Sequence, residues 1–342
     1  MKADMKYILF FSILLLITSC MKEVDLEYLR PDSKLVLNSV ASVGEPLKAS
    51  LSRTWFYTED YPNVTIGDAK VELYVNDRLL GEMSWNVEEI DYYAIGNYVS
   101  SYIPVPGDKV RIEAKREGFK QVMGEDIVPD KPALLNLYAE SHEENSYGYS
   151  YTKRRFKVTF RDKPSEQNCY LISFAYGSPH YEYDYDDWEK PPVFSGIYSW
   201  RPEPIDYTSD PVFSNKVSAL DKVLGNDWLS GYNGRPFSDE LFDGKEYTMT
   251  LDGNFSYGYN PGFTQPENRL PDSARVYLYA ISEPYYKYLL ALANLSDDSF
   301  NNNLADIGLA EPVRVFNNIE GGLGILGTAC VDSLTVAIQE LN

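Results

Sequence analysis

Histidine and cysteine are nearly absent from this chain, with two and three copies in 342 residues. No CxxC pair occurs, so a zinc ribbon and a dithiol redox centre both lack their ligands. The G-x-S-x-G turn of a serine hydrolase is missing too. His142 and His180 both fall in polar stretches that read as irregular, which leaves nothing to build a catalytic triad around. Positive charge is also scarce: 31 Lys and Arg face 51 Asp and Glu, a formal net charge of -20. That balance excludes nucleic acid and anionic lipid surfaces as electrostatic partners, and otherwise serves solubility.

Long hydrophobic runs are absent as well. The longest, Tyr7 to Ile17, is about half of the ~20 residues a membrane-spanning helix needs. It follows Lys2 and Lys6 and reads as a signal peptide over residues 1–19. The run ends in Ile17-Thr18-Ser19-Cys20, which resembles a bacterial lipobox, with Cys20 as the acylated first residue of the mature protein; an ordinary secretory signal followed by a chance cysteine is the alternative. Several acyl chains, each methylene contributing about 0.8 kcal/mol, would hold the protein on a lipid bilayer. Residues 20–33 form a tether, and Lys22-Glu23 resembles the export signal of lipoproteins carried to the outer face of an outer membrane. Removing Lys2, Lys6 and Asp4 with the signal takes the net charge from -20 to -21.

What the chain has in abundance is tyrosine, 29 copies, a residue suited both to half-buried strands and to contact surfaces. Period-two patterning runs through most of the sequence. The expected fold is mainly β: an immunoglobulin- or transthyretin-like β-sandwich over residues 34–131, then a larger β-rich domain over 132–342 with one or two helices. Asn76-Asp77 and Pro106-Gly107-Asp108 mark turns, and Asp130-Lys131-Pro132 reads as the hinge. Helices are expected near 211–224, with Phe213, Val217, Leu220 and Leu224 on one face, and near 283–295, capped by Ser282 with Leu289, Leu292 and Ala293 as its apolar stripe. Cys169 and Cys330 fall in strand-like runs, and whether they bridge is open.

Three features invite a functional reading. The stretch SPHYEYDYDDWEKPP, Ser178 to Pro192, concentrates Tyr181, Tyr183, Tyr185 and Trp188, and continues to Tyr198 and Trp200. An exposed aromatic loop that contacts a partner fits best; the same loop folded back on its own domain is the alternative. Asp184, Asp186 and Asp187 offer hard oxygen ligands to a cation, but lack an EF-hand order, and no cofactor is expected. Asp272-Ser273-Ala274 and Asp332-Ser333-Leu334 resemble short O-glycosylation sites, with Ser273 and Ser333 as acceptors. Gly322-x-Gly324-x-x-Gly327 has dinucleotide-fingerprint spacing, but the alternation of Leu334, Val336 and Ile338 downstream reads as a strand where that motif requires a helix.

Pro236-Phe237-Ser238-Asp239, Asp243-Gly244-Lys245-Glu246-Tyr247, the helix around Tyr285-Tyr286-Lys287-Tyr288-Leu289, and Asn318-Ile319-Glu320-Gly321-Gly322-Leu323-Gly324-Ile325-Leu326-Gly327 together resemble the domain-of-unknown-function family 4249. Leu326 stands where that pattern has an aromatic. The resemblance implies an outer-membrane lipoprotein of Bacteroidota, encoded near a TonB-dependent transporter, and brings no catalytic residues. The expected role is a surface-exposed accessory or lid subunit that binds an oligomeric nutrient, oligopeptide or oligosaccharide, for such a transporter. A carboxylate-based glycosidase or other hydrolase, and a structural or adhesive surface protein, are the alternatives.

Overall fold

The computed structural model describes residues 27–338 except 57, 61, 91–92, 147–148, 165–166, 185–189, 208, 215–233, 254–269 and 298–314. The expected signal peptide over residues 1–19 and the expected acylation site Cys20 lie outside that set. The chain is mainly β, with seventeen strands among the described residues. The first eight are β1 (Leu35–Ser42), β2 (Lys48–Arg53), β3 (Lys70–Val75), β4 (Arg78–Glu82), β5 (Ser84–Ile90), β6 (Tyr93–Val99), β7 (Lys109–Lys115) and β8 (Val122–Ile127). There follow β9 (Ala133–Ser146), β10 (Tyr149–Arg161), β11 (Cys169–Glu182), β12 (Val193–Glu203), β13 (Ile205–Asp206), β14 (Arg235–Ser238), β15 (Glu246–Gly253), β16 (Ser273–Ile281) and β17 (Leu323–Ala337). Two helices are described, α1 (Pro211–Ser214) and α2 (Glu283–Asp297), besides a single 3-10 turn at Glu27–Leu29.

Alternation explains the strands. In β1 every odd position from Leu35 to Ala41 is buried and every even one half-buried, the signature of a strand with one face in the core. The hairpin between β3 and β4 turns on Asn76 and Asp77 at φ 50° and 63°, the pair of positive angles that a two-residue turn requires.

One large sheet carries the architecture, in the order β12-β11-β16-β17-β1-β2-β6-β5 with β14 attached to β11. Its central strand, β17, pairs in parallel with β1 through Leu323–Ala329 and antiparallel with β16 through Ala329–Ala337, so the first and last strands of the chain lie side by side. Two four-stranded sheets, β4-β3-β7-β8 and β13-β15-β10-β9, complete the layers. The first encloses an aliphatic core of Leu35, Leu37, Leu51, Val71, Leu73, Val110 and Ile112. The second encloses a core rich in rings, among them Phe156, Phe160, Tyr170, Phe174, Phe237 and Phe242. Ile319 and Leu326, from the far end of the chain, pack into the first core.

The glycines entering β17 permit this join. A side chain on Gly322 would meet the carbonyl of Leu35 at 2.4 Å, and one on Gly324, at φ 119°, would meet that of Leu37 at 2.0 Å. The spacing that imitates a dinucleotide fingerprint is thus a strand pressed against its neighbour, continuing as strand to Ala337. Asn318 secures the entry: its side chain donates to the carbonyl of Leu326 at 2.8 Å and accepts from the Leu326 amide at 2.9 Å.

Several sequence expectations are corrected. His142 and His180 stand in strands β9 and β11 rather than in irregular segments, His142 paired with Lys153 of β10 and His180 in the stretch of β11 beside β12. Of the aromatic stretch, Ser178 to Glu182 is the end of strand β11 rather than loop, and β12 begins just beyond it at Val193; residues 185–189 lie outside the described residues. Leu292 of α2 is exposed, since the helix buries the face carrying Tyr285, Tyr286, Leu289 and Leu290. Ser282 caps that helix as expected: its hydroxyl accepts from the Tyr285 amide and its carbonyl from the Tyr286 amide. Of the other expected helix, only Pro211–Ser214 is described; Val217, Leu220 and Leu224 lie outside the described residues.

Cys169 and Cys330 are both buried and not joined by a disulfide. Cys169 shares a register row with Ile281 and Ala329, so Cys330, one residue further along β17, points to the opposite face.

Candidate functional site

The two faces of the second half of the large sheet differ in kind. Tyr170, Ile172, Phe174, Tyr176, Ala274, Val276 and Leu278 point inward to the ring-rich core. The alternate residues point outward, and α2 covers only one end of them, around Cys169, Leu171, Ile281 and Ala329. Beyond the helix the outward rows carry rings and one guanidinium. Directly paired residues share a face, so Gly177, Trp200 and Ser273 form one row, Ala175, Pro202, Arg275 and Thr335 the next, and Ser173, Tyr277 and Ser333 the third.

These side chains form a continuous ladder. Tyr181 and Phe194 have ring centroids 5.9 Å apart, Phe194 and Tyr198 5.9 Å, Tyr198 and Trp200 6.1 Å. The Arg275 guanidinium carbon sits 3.9 Å from the Trp200 ring centroid, a cation–π contact, while its Nε donates to Thr335 Oγ1 at 2.9 Å. Tyr277 and Tyr279 extend the surface, stacked at 6.4 Å. Gly177 makes room, since a β-carbon there would lie 2.7 Å from the six-membered ring of Trp200. Hydroxyls fix the outer end: Tyr198 donates to the carbonyl of Pro271 at 3.0 Å, and the amide of Leu270 donates to Tyr181 at 2.8 Å.

Of the aromatic residues expected to contact a partner, the structure brings together Tyr181, Tyr198 and Trp200. Tyr183 is half-buried just past β11, and Tyr185 and Trp188 lie outside the described residues. Sequence reasoning missed Arg275, Tyr277 and Tyr279, which come from β16. Their signal was the alternation in SARVYLY, which puts all three on one side of a strand.

Asp184 forms an ion pair with Lys190 at 2.9 Å, and Asp186 and Asp187 lie outside the described residues. Among the described residues one other acidic group gathers: Asp162, Asp239 and Asp243, with ligand atoms within 4.8 Å of one another. Its two buried members are engaged in stitching the chain. Asp162 accepts from Tyr170 Oη at 2.6 Å and the Gly244 amide at 2.7 Å, and Asp239 accepts from the Asn168 amide at 2.7 Å. Burial raises the Asp239 carboxyl above its ordinary value and pushes the Tyr170 hydroxyl up strongly, with Asp162 adding to the latter. Ser273 is 8% exposed, whereas Ser333 is exposed on the outward face beside Tyr277.

A second polar node joins the halves of the molecule. Thr328, where β17 passes from one partner strand to the other, donates its hydroxyl to the Ile127 carbonyl at 2.6 Å, with the Asp126 carboxylate 3.1 Å away. The Thr328 amide donates to Ser282 Oγ at 3.3 Å. Desolvation raises Asp126 to about 6, against the lowering effect of hydrogen bonds from Ser282, Ile127 and Thr328.

These features define a mainly β protein of stacked sheets whose largest sheet turns a ring-and-arginine ladder outward. Residues 22–335 match the family model described as "Domain of unknown function (DUF4249)", and the chain belongs to that family. No curated protein and no solved structure matches it.

Proposed function

We propose that the protein is a lipid-anchored outer-membrane protein, exposed at the cell surface, that works as a binding or lid subunit of a TonB-dependent transporter for an oligopeptide or oligosaccharide. The observation that supports a contact role is the outward ladder from Tyr181 to Arg275. Its members Tyr181, Phe194, Tyr198, Trp200 and Arg275 are each half-buried, and tyrosine, tryptophan and arginine are the residue types enriched at interaction sites. The rings face one another more than they face outward, with Trp200 held between Tyr198 and Arg275. That arrangement presents ring edges, hydroxyls and a guanidinium, which suits a peptide segment better than the flat stacking of a sugar.

Affinity purification from detergent-solubilised outer membranes tests the reading. Tagged wild-type protein is expected to bring a barrel protein with it. A Tyr198→Ser, Trp200→Ala double variant is expected to lose at least about 1–2 kcal/mol of that association, a tenfold or greater fall in recovery. Wild-type protein recovered free of any barrel would overturn the proposal.

A further inference from the structure

The first described residues form a small clasp against the 53–59 loop. Arg30 pairs with Glu27 within the 3-10 turn and reaches Glu59 at 2.9 Å and Thr58 at 3.0 Å. Arg53 holds Glu59 from the other side at 2.7 Å, and the hydrogen bond from Arg53, with further help from the Phe56 amide and Arg30, lowers the Glu59 carboxyl to about 2. The Arg30 guanidinium lies 5.0 Å from the Phe56 ring centroid. Ser33 donates to the carbonyl of Thr54 at 2.7 Å. Every basic group in the clasp is therefore matched by a carboxylate, and the clasp fixes where the chain enters the fold.

Around it stand three large apolar side chains that nothing in the fold requires to be outside: Tyr28 is 76% exposed, Leu29 57% and Trp55 56%. Their position relative to Cys20 gives them meaning. Six residues separate Cys20 from Glu27, and a fully extended chain advances about 3.3–3.6 Å per residue, so an acylated Cys20 keeps the clasp within about 25 Å of the bilayer surface. Tryptophan and tyrosine partition to that interface, their rings meeting the acyl boundary and their polar atoms the headgroups. With a net charge of -20 and its arginines already paired, this end of the molecule has no electrostatic attraction to a membrane to rely on.

We infer that Tyr28, Leu29 and Trp55 form a membrane-contact surface that seats the first sandwich on the bilayer and fixes which way the outward ladder points. This inference rests on the acylation of Cys20 proposed above. The partner is the lipid interface itself, and zwitterionic lipid should suffice.

Full-length acylated protein in phosphatidylcholine vesicles, with and without lipid brominated near the glycerol end of its acyl chains, provides the test. Wild-type protein should co-sediment with vesicles and show bromine quenching of its tryptophan emission. Trp55→Phe should co-sediment equally, because the acyl chains remain, yet lose about two-thirds or more of the quenching. A Tyr28→Ser, Leu29→Ser variant, altered only at exposed positions, should reduce quenching of Trp55 while its far-UV spectrum stays unchanged. Quenching that is equal in wild type and Trp55→Phe would overturn the inference while leaving the anchor intact. Failure of the wild type to co-sediment would overturn the acylation reading, and the inference with it. Shielding of Trp55 from acrylamide that depends on protein concentration instead of lipid would assign the patch to a second copy and overturn it too.

Discussion

The two cores of this molecule are built from different side chains. Among the described residues the first is lined mostly by Leu, Val, Ile and Ala, with Tyr98 as its one fully buried ring. The second interlocks rings: Phe160 alone lies within 5.3–6.0 Å of Tyr170, Phe237, Phe242 and Tyr247, mostly edge to face. Aliphatic strands can build a core by alternation alone. Rings need partners at set angles, and here several come from outside the regular strands, as Phe213 and Phe242 do. The difference teaches that the abundance of aromatics has two destinations, an interior lattice and an exterior ladder, on opposite faces of the same strands.

Substitution should separate the cores by magnitude. Phe160→Ala is expected to cost about 3–5 kcal/mol, against about 0.5–1.5 kcal/mol for Ile112→Val in the aliphatic core, both read from urea midpoints. Equal costs would remove the contrast. Next in size is Gly324→Ala, where a positive φ and the Leu37 carbonyl at 2.0 Å both oppose a β-carbon; a loss of about 2–3 kcal/mol is expected. Because Gly324 lies in the strand that both cores share, a single unfolding transition should persist and move as a whole, whether followed by ring or by backbone signals.

The smallest effect concerns the node between the cores. Asp126 holds its proton up to about 6, above its ordinary 3.8, so acid favours the folded state. The contribution is fully present below the unfolded value, declines as pH rises, and is gone above about 6. Wild type should therefore gain stability relative to Asp126→Asn between pH 7 and pH 5, seen as a pH-dependent difference in urea midpoints. A difference that stays constant with pH would deny Asp126 that role.

Much of this was legible in the sequence. Strands such as KVELYV and KVRIEAK announce themselves because one face is buried and the other is not. β9 was hidden because its later residues, SHEENS, carry no apolar period; pairing with β10 holds them. The parallel join of β1 to β17 was illegible for another reason: register between segments some 290 residues apart is fixed by the cores they close, and no local pattern records it. The outward ladder was half legible. Tyr198 and Trp200 sit two apart on one strand, but Arg275 becomes their neighbour only through pairing of β11 with β16.

The place of β17 in the middle of the large sheet also constrains the birth of the protein. Until its closing residues have been synthesised, the first sandwich lacks Ile319 and Leu326, and the second lacks the strand against which β16 pairs. Closing of the first core thus waits on contacts of very long sequence separation. In such a polypeptide the half made first keeps an open seam until the last strand is laid into it.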